Sequence, residues 1–552
     1  MAQRRDVLLR LLLILGFALA LGLAQIRDSL RPAFAASLDV AVMDASTGRI
    51  TPARVYLFKD GRPSRLSPVD ALLPLRVDLY YRERLWKQVA RPKTLEVTAS
   101  DQSHFFLLDG QASFDLPAGK YRLEAYRGIF FKPASVEFEL KAGESRRVEL
   151  KLQPVAPDKQ SQWLSGDDHI HLVRDRQDND IFLRWLQAED LSVANFLQLQ
   201  RQSDAGMQYG FGEAAEARLP GFSIRSGEEA RSHFYGHINL LGLRELLRPV
   251  SVGEVYANSP EAYPFPLVMF ERARRDGCTV GYAHFDGSQK HSTLLMDLAL
   301  GTIDFVEVFQ FGVLKTDAWY QLLNAGLRVT GIAGSDFPVP LGNRKPWPQV
   351  VPLLGPERTL VKASAGRSAY EAWAEGVRKG EVVVSNGPLL ELEVNGKGPG
   401  ASIAWEGSSS KAEGVATVTF HRPIEKLEIV VNGEVAAVRG GNGTEVTMSL
   451  PFAVPLPGSS WIAARAKAKS EEGEPELLAH TNPVYLLRNG LPVSVQADRA
   501  EVAKKWEAEA EYYRSSELTF QSDTHRRELL EKVERALAAL RQPGNQVADA
   551  AR

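Results

Sequence analysis

The chain has 552 residues, of which 44% are hydrophobic and 24% are charged, and its formal net charge at pH 7 is −2. This length exceeds that of one ordinary domain, so we expect three or four folded units. Nucleic acid is not expected as a partner, because binding to its phosphate backbone requires an excess of Lys and Arg. The single cysteine, Cys278, excludes an internal disulfide and a thiolate metal cluster within one chain.

The N-terminus has the pattern of an export segment. Arg4 and Arg5 precede an apolar run over residues 7–24 that only Arg10 interrupts. The length of this run lies between that of a cleaved signal peptide and that of a membrane-spanning anchor. We therefore predict residues 1–36 to be a signal peptide or an N-terminal membrane anchor, with residues 7–24 as the tether. Both interpretations place the remaining chain outside the cytoplasm, in the periplasm or secreted.

Residues 37–153 have the alternation of a β-sandwich. Segments such as Val136-Glu-Phe-Glu-Leu140 alternate apolar and polar residues, and turns such as Asp60-Gly61 separate them. This pattern predicts an antiparallel sandwich. The stretch 114–125 resembles the small transthyretin-like or carboxypeptidase-regulatory-like sandwiches, which implies a binding or spacer module without chemistry of its own.

The pattern of apolar and polar residues changes after a linker that contains Pro154 and Pro157. In residues 160–390, short apolar strands alternate with helix-like runs, the order of a parallel α/β sheet or barrel. Residues 391–490 return to alternation and predict a second sandwich, and residues 497–545 predict a helical C-terminal segment. The predicted fold is therefore multidomain, α/β plus all-β.

Six of the ten histidines fall between His169 and His291. His169 and His171 are two residues apart at a predicted strand end, so their side chains face the same side and can share one metal. Further candidate ligands follow in short motifs, several of them at strand ends, where the active sites of parallel α/β folds lie. The predicted metal ligands are His169, His171, Glu229, His237, His284, Glu307 and Asp336. Mixed imidazole and carboxylate donors suit divalent Zn, Mn or Fe, as one ion or two.

These residues also carry a family resemblance that covers about residues 160–490. The motifs, in chain order, are Gly166-Asp-x-His-x-His171, Ala188-Glu-Asp-Leu191, Glu229, Gly236-His-Ile-Asn-Leu-Leu-Gly242, Ala283-His284, Glu307, Gly334-Ser-Asp-Phe-Pro338 and Ser385-Asn-Gly-Pro388. In combination they resemble CehA/McbA-type metallohydrolases of the polymerase-and-histidinol-phosphatase (PHP) superfamily. The resemblance implies a distorted β/α barrel with metals at the strand carboxyl ends. It also implies hydrolysis of esters, carbamates, amides or phosphoesters.

The chain departs from the PHP pattern at two places. The family commonly has Thr-Asp-His after the first helix, where this chain reads Ser192-Val-Ala-Asn-Phe-Leu197, and a His two residues after the final Asp, where this chain has Pro338. Two potential ligands are therefore missing, which favours one or two metals over three. It also leaves Glu307 open as a ligand or as a carboxylate that supports one.

Other residues near the motifs have two interpretations each. Arg231, Asn343, Arg344 and Arg358 can clamp an anionic or carbonyl oxygen near the metals, or form salt bridges on loops. Six aromatic residues flank the motifs and can line a pocket, although core packing is the more common role of such side chains. They are Trp185, Tyr235, Phe285, Phe309, Phe311 and Phe337.

The leading functional hypothesis is a metal-dependent hydrolase that acts on a small molecule, with Asp336, His284 and Arg231 as catalytic residues. A phosphoesterase at the same site is the first alternative. The second is a catalytically degenerate protein that binds carbohydrate or the cell envelope through its sandwiches. The sequence leaves the natural substrate and the oligomeric state open.

Overall fold

The structure is a computed structural model that describes residues 35–541 except 65, 72–74, 77–93, 99–103, 161, 200–205, 233–234, 248–263, 286–290, 339–352, 408–409, 516–517 and 519. Residues 1–34 of the predicted export segment therefore lie outside the described residues. Its last two residues, 35 and 36, belong to the first strand. Among the described helices, none is long and apolar enough to cross a membrane.

Residues 35–154 form two β-sheets that pack face to face around a common core. Their strands are β1 (Ala35–Asp44), β2 (Ala53–Lys59), β3 (Arg62–Pro63), β4 (Leu75–Arg76), β5 (Thr94–Thr98), β6 (His104–Leu108), β7 (Gln111–Pro117), β8 (Gly119–Tyr126), β9 (Phe131–Lys132), β10 (Ala134–Leu140) and β11 (Ser145–Pro154). One sheet has the order β7-β1-β11-β9, and the other has β10-β8-β2-β6-β5-β4 with β3 beside β2.

The prediction of a wholly antiparallel sandwich was wrong for two pairs of strands, the edge pair β4–β5 and the central pair β1–β11. Strands β1 and β11 run parallel, with Val40 opposite Val148. The alternation of apolar residues reports which face of a strand is buried, and it carries no information on the direction of the neighbouring strand. The first and last strands of this unit meet side by side, a pairing that only the tertiary fold decides.

The middle of the chain is a mixed α/β region built on one large sheet. After the short helix α1 (Pro157–Gln160), its strands are β12 (Trp163–Ile170), β13 (Val193–Leu199), β14 (Ala217–Leu219), β15 (Phe222–Ser232), β16 (Gly236–Leu241), β17 (Thr279–Tyr282), β18 (Phe305–Gln310), β19 (Val313–Leu314), β20 (Thr330–Ala333), β21 (Arg358–Lys362) and β22 (Val382–Ser385). Its helices are α2 (Asn179–Ala188), α3 (Pro266–Arg275), α4 (Leu294–Ala299), α5 (Thr316–Asn324) and α6 (Ala369–Lys379).

Strand directions place several carboxyl ends at one edge of this sheet. The pairs β12–β13, β13–β15, β17–β18 and β18–β20 are parallel. Strand β16 is antiparallel to both β15 and β17, so these two neighbours run in the same direction. Strand β21 lies antiparallel on the other side of β12.

Local sequence explains how helix α6 is placed beneath β12. The Ser368 side chain accepts a hydrogen bond from the Glu371 backbone N–H (3.3 Å), and the Ser368 backbone N–H donates to the Glu371 carboxylate (3.0 Å), which forms a capping box. The helix ends at Gly380 in the left-handed conformation. Its buried Trp373 lies so close to Gly166 that a Cβ at this position would be 2.2 Å from the indole nitrogen. Glycine is therefore required where β12 crosses the helix.

The C-terminal β unit is continuous with the central sheet. Its strands are β23 (Leu389–Val394), β24 (Ser402–Trp405), β25 (Ser410–Thr419), β26 (Ile424–Val431), β27 (Glu434–Gly440), β28 (Thr447–Leu456), β29 (Ser460–Ala468), β30 (Leu477–Thr481) and β31 (Val484–Arg488). Strands β23, β25 and β28 form one sheet. The other joins the central sheet because β30 pairs with β22, with Val383 opposite Thr481.

Two further helices close the described chain, α7 (Gln496–Arg514) and α8 (Asp523–Arg541). They pack on the central region through a shared cluster in which Trp506 and Tyr513 meet Tyr235 and Phe265. Leu529, Val533 and Leu537 share one face of α8, and this face is buried there.

Candidate metal centre

The loop that carries Asp336 runs alongside the end of β12. The Phe337 N–H donates to the His169 carbonyl (3.1 Å), and the His171 N–H donates to the Phe337 carbonyl (2.7 Å). Gly334 permits this approach, since a Cβ there would be 2.3 Å from the Asp168 carboxylate. The Gly-Ser-Asp motif and the His-x-His motif therefore meet through backbone contacts, and Asp336 is placed beside both imidazoles.

Two candidate ligands have backbone conformations that side chains rarely adopt. His284 has a φ of 52° and Asp336 a φ of 51°. A non-glycine residue in this left-handed region has a conformational free energy roughly 1–3 kcal/mol higher than in the common regions, and such residues are concentrated at functional sites. The chain therefore keeps a strained backbone at the two positions that bring an imidazole and a carboxylate to the same edge.

The imidazoles of His169 and His171 point their Nε2 atoms at each other, 3.1 Å apart. The Nδ1 atom of His171 donates to the Leu197 carbonyl (2.9 Å), and Nδ1 of His169 is 2.8 Å from Glu307 Oε1. A hydrogen bond at Nδ1 leaves the lone pair on Nε2, the atom that is then able to bind a metal. Both rings are fully buried, so their orientation is set by these contacts.

Glu229 lies between two pairs of histidines. Its Oε2 atom is 3.2 Å from His171 Nε2 and 3.7 Å from His169 Nε2. Its Oε1 atom is 3.0 Å from His237 Nδ1 and 3.5 Å from His284 Nε2. One oxygen thus faces each pair, which is the geometry of a carboxylate that bridges two ions.

Asp336 contacts both members of the first pair and one member of the second. Its Oδ1 atom is 3.3 Å from His169 Nε2 and 3.2 Å from His171 Nε2, and its Oδ2 atom is 3.7 Å from His284 Nε2. The Nδ1 atom of His284 is 2.8 Å from the Gln310 side-chain oxygen, so its Nε2 atom also faces the centre.

The donor set fits a divalent transition metal. Three overlapping groups have ligand atoms within 4.8 Å of one another, namely His169–His171–Glu229, His169–His284–Asp336 and Glu229–His237–His284. Donors bound tetrahedrally at about 2.1 Å lie about 3.4 Å apart. The observed separations of 3.0–3.7 Å between nitrogen and oxygen atoms bracket this value. Buried imidazole and carboxylate groups could therefore hold one ion or two.

Glu307, predicted as a ligand, uses both oxygens in other contacts. Its Oε1 atom is 2.8 Å from His169 Nδ1, and its Oε2 atom accepts the His284 backbone N–H (2.8 Å). The Asn239 side chain also donates to Oε1 (3.0 Å). Glu307 contacts two candidate ligands on the sides that face away from the centre, so the open alternative of a supporting carboxylate describes its position better than the predicted ligation.

Sequence reasoning missed Asn239 and Asp168. Asn239 donates to Asp168 (3.2 Å) and to Glu307, and all three side chains are buried. The pattern contains a usable clue, because Asn239 is two residues after His237 on one strand and therefore faces the same side of the sheet.

Burial and charge pull the ionisation of this centre in opposite directions. Burial alone would raise the pKa of Glu229, but hydrogen bonds from the surrounding imidazoles hold it well below its usual value. Burial alone would lower the pKa of His169, yet the Glu307 and Asp336 carboxylates raise it well above its usual value. For His237 burial prevails, and its pKa is lowered. The donor set of the metal-free protein therefore combines an imidazole that retains its proton to higher pH, His169, with one that loses it at lower pH, His237.

Arg231 is at the centre, whereas Arg358 is not. The Arg231 Nε atom is 3.8 Å from Glu229 Oε2, and the side chain is 13% exposed, so its charge is near the ligands and within reach of the surface. Arg358 is buried and donates to the carbonyls of Gly355 and Asp190, which is a structural role and therefore closer to the second of the two interpretations given for it. Asn343 and Arg344 lie outside the described residues.

The remaining candidates are mostly core residues. Trp185, Tyr235, Phe285, Phe309 and Phe337 are all buried in hydrophobic clusters. Phe311 alone of the six flanking aromatics stacks on a ligand, with its ring centroid 6.0 Å from that of His284. His291 instead stacks on Tyr512 of helix α7, and His233 lies outside the described residues.

Comparison with known proteins leaves the family open. No protein-family model and no curated protein matches the chain. Among solved structures, it is similar to Endonuclease Q in complex with a 27-mer duplex that has an abasic lesion at the active site. The identity is 16%, the TM-score is 0.27, and the match covers 39% of this chain and 56% of that one. The match spans a little over half the length of that protein, and at this TM-score it assigns neither fold nor function.

Proposed function

We propose that the protein is a metal-dependent hydrolase that cleaves an ester, carbamate or amide bond in a small molecule. The observation that carries this proposal is Glu229, whose two oxygens face two separate pairs of imidazoles at 3.0–3.7 Å. Such a set is what a one- or two-ion hydrolytic centre requires. The proposal includes a PHP-like distorted β/α barrel, a relation to CehA/McbA-type enzymes and a location outside the cytoplasm.

The chain's own residues would hold and orient the reactants. A divalent cation at this centre supplies Lewis acidity, which polarises an electrophile and lowers the pKa of a water molecule. His169, His171 and Glu229 would hold a first ion, and Glu229, His237 and His284 a second. Because the pKa of Asp336 is lowered by nearby imidazoles despite its burial, this carboxylate stays ionised at neutral pH. It can therefore accept a proton at Oδ2.

Arg231 would bind the oxygen that gains negative charge during cleavage. Its guanidinium donors suit a planar anionic group, and the neighbouring Glu229 carboxylate limits its movement. His284 has one of two roles. With a single ion at the His169 side, its Nε2 atom can deliver a proton to the leaving group, and with two ions it is a ligand.

Phosphoester hydrolysis is the second candidate, favoured by the position of Arg231. A fixed cation beside the candidate ligands adds to the charge that would stabilise an anionic phosphoryl group. Ester and phosphoester substrates therefore need to be compared directly.

The test uses full-length protein purified without chelator. Metal content is measured first, followed by hydrolysis of matched 4-nitrophenyl ester, carbamate, anilide and phosphate substrates. The His169→Ala/His171→Ala variant should lose all hydrolysis and the ion on the His169 side, leaving at most the ion held by Glu229, His237 and His284, while the control His291→Gln, whose imidazole lies against Tyr512, keeps its full metal content and activity. Hydrolysis that survives in the double variant would rule out this centre. Metal retention without turnover of any substrate would favour a degenerate binding protein.

A further inference from the structure

A cavity of about 570 Å³ lies at the end of β12 that is opposite to the metal centre. Trp163 lines it from the first position of β12, whereas His169 is the seventh residue of the same strand. Six residues of β-strand span about 20 Å, so the cavity and the centre are separate sites. Its volume is in the usual range for cavities that bind small molecules, roughly 300–1,000 Å³.

The wall of this cavity is mainly apolar and comes from different parts of the fold. Trp163 belongs to β12, Val383 to the adjoining β22, and Leu392 to β23 of the C-terminal unit. All three are at least 93% buried. Pro399 and Ala401 complete the apolar lining. Places where folded units meet are common positions for ligand sites.

The rim of the cavity is cationic. Lys362, Lys379 and Lys397 line it with Glu381 and Glu391. Lys379 forms an ion pair with Glu375 (2.7 Å), and Arg378 and Arg328 of a smaller adjoining pocket donate to Thr279 and Ser402, so Lys362 and Lys397 carry the positive charge of the rim.

The acidic neighbours leave part of this positive charge uncompensated. Glu391 forms an ion pair with Lys159 as well as one at 3.7 Å with Lys362. Among the described residues, Lys397 forms no ion pair. The Lys362 ammonium lies 5.3 Å from the centroid of the Trp163 ring, which places a positive charge at the apolar wall.

We propose that this cavity binds a small organic carboxylate with an apolar body. The apolar part would replace water along Trp163, Val383 and Leu392, and the carboxylate would remain at the rim near Lys362 and Lys397. Long lysine side chains suit such a rim because their aliphatic stems cover apolar surface while the ammonium groups stay hydrated. The proposal is independent of the hydrolase assignment, because neither lysine contacts the candidate metal ligands.

Photoaffinity labelling of the full-length protein locates the site directly. The probe is decanoate that carries a diazirine on its chain, and labelled peptides are identified by mass spectrometry. We expect adducts within residues 379–401 and at Trp163, and we expect excess decanoate to suppress them. The cation decyltrimethylammonium has the same chain and should not compete. Labelling spread evenly over the protein, or equal competition by the cation, would overturn the proposal.

Charge reversal tests the role of the rim. Lys362 and Lys397 are exposed, so the Lys362→Glu/Lys397→Glu variant should fold, which circular dichroism checks. Its decanoate affinity, measured by calorimetry, should fall at least tenfold. The control Lys411→Glu/Lys469→Glu changes the net charge equally at exposed positions outside the cavity and should bind as the wild type does. Equal affinity in both double variants would contradict the proposal even if metal-dependent hydrolysis is found.

Discussion

The Oε1 atom of Glu307 lies 2.8 Å from Nδ1 of His169, on the side of the ring that faces away from the other imidazoles. The same carboxylate accepts the backbone N–H of His284 through its second oxygen. One buried side chain therefore orients two candidate ligands that are 115 positions apart in sequence. A carboxylate in this position also increases the basicity of the imidazole that it contacts.

The Glu307→Gln variant should weaken metal binding without abolishing it. Loss of a carboxylate behind a ligating histidine typically lowers metal affinity about 10- to 100-fold. Competition with a chromogenic chelator measures this change, and the exposed Glu381→Gln substitution serves as the control. Complete loss of metal in the Glu307 variant would show that Glu307 is itself a ligand.

The bridging position of Glu229 predicts two ions per chain. The His237→Ala variant should retain one ion, because the group of His169, His171 and Glu229 remains intact. The Glu229→Gln variant should bind at most one ion and bind it more weakly, since it removes the donor that these two groups share and leaves only His169, His284 and Asp336 as an intact group. Inductively coupled plasma mass spectrometry gives the stoichiometry. A wild-type protein that never exceeds one ion would contradict the two-ion arrangement.

Metal uptake should release protons and become tighter as the pH rises. Burial would lower the pKa of His171 and His284, but the carboxylates of Glu229 and Asp336 raise both values. In the metal-free protein these imidazoles therefore retain their protons to a higher pH than free imidazoles do, and a cation must displace those protons. We expect activity to rise from about pH 5 to a plateau above about pH 8, with acid loss partly rescued by excess metal. Calorimetry in two buffers of different ionisation enthalpy counts the released protons, and a count of zero would contradict this ionisation.

The same ionisation predicts how the metal-free protein responds to alkaline pH. The folded pKa of His169 lies above its unfolded value of about 6.5, so protonation stabilises the fold fully below that pH. This stabilisation is lost as the pH rises through the folded pKa. The melting temperature of chelator-treated protein should therefore fall over that range, and added metal should remove the fall. A flat profile in the chelated protein would argue against a charged His169.

Arg231 should distinguish the two hydrolytic candidates. A hydrogen bond to a charged group contributes about 1.5–3 kcal/mol, or roughly a 10- to 150-fold change in rate. If the natural substrate is a phosphoester, Arg231→Ala should lower kcat/KM by that factor for phosphates and much less for neutral esters. An equal effect on both classes would indicate that Arg231 acts by positioning Glu229 instead.

Cys278 should be dispensable. It is buried, and burial raises the pKa of its thiol to about 12, so it carries no thiolate at neutral pH. The Cys278→Ser variant should therefore hydrolyse substrate at the wild-type rate. Removal of the metal from the wild-type protein by a chelator should abolish hydrolysis. If chelation left the hydrolytic rate unchanged and the Cys278→Ser substitution abolished it, the reaction would depend on a cysteine nucleophile and not on the metal centre.

The sequence alone carried the identity of the candidate ligands. His169 and His171 are two residues apart on a strand, and this spacing puts them on one side wherever that strand lies. The clustering of histidines and the short motifs around Glu229, His284 and Asp336 indicate the same region. The division into β-rich flanks and a mixed α/β middle also follows from local periodicity, because alternation and helical repeats depend only on near neighbours.

Only the tertiary structure decided how these residues share their contacts. The motifs do not predict that one oxygen of Glu229 faces each pair of histidines, or that Glu307 contacts Nδ1 of His169. Both contacts depend on side chains from strands that are far apart in sequence. The parallel pairing of β1 with β11 and the joining of β22 to β30 are decided in the same way. Periodicity specifies which face of a strand is buried, whereas the choice of neighbouring strand is made by packing between distant segments.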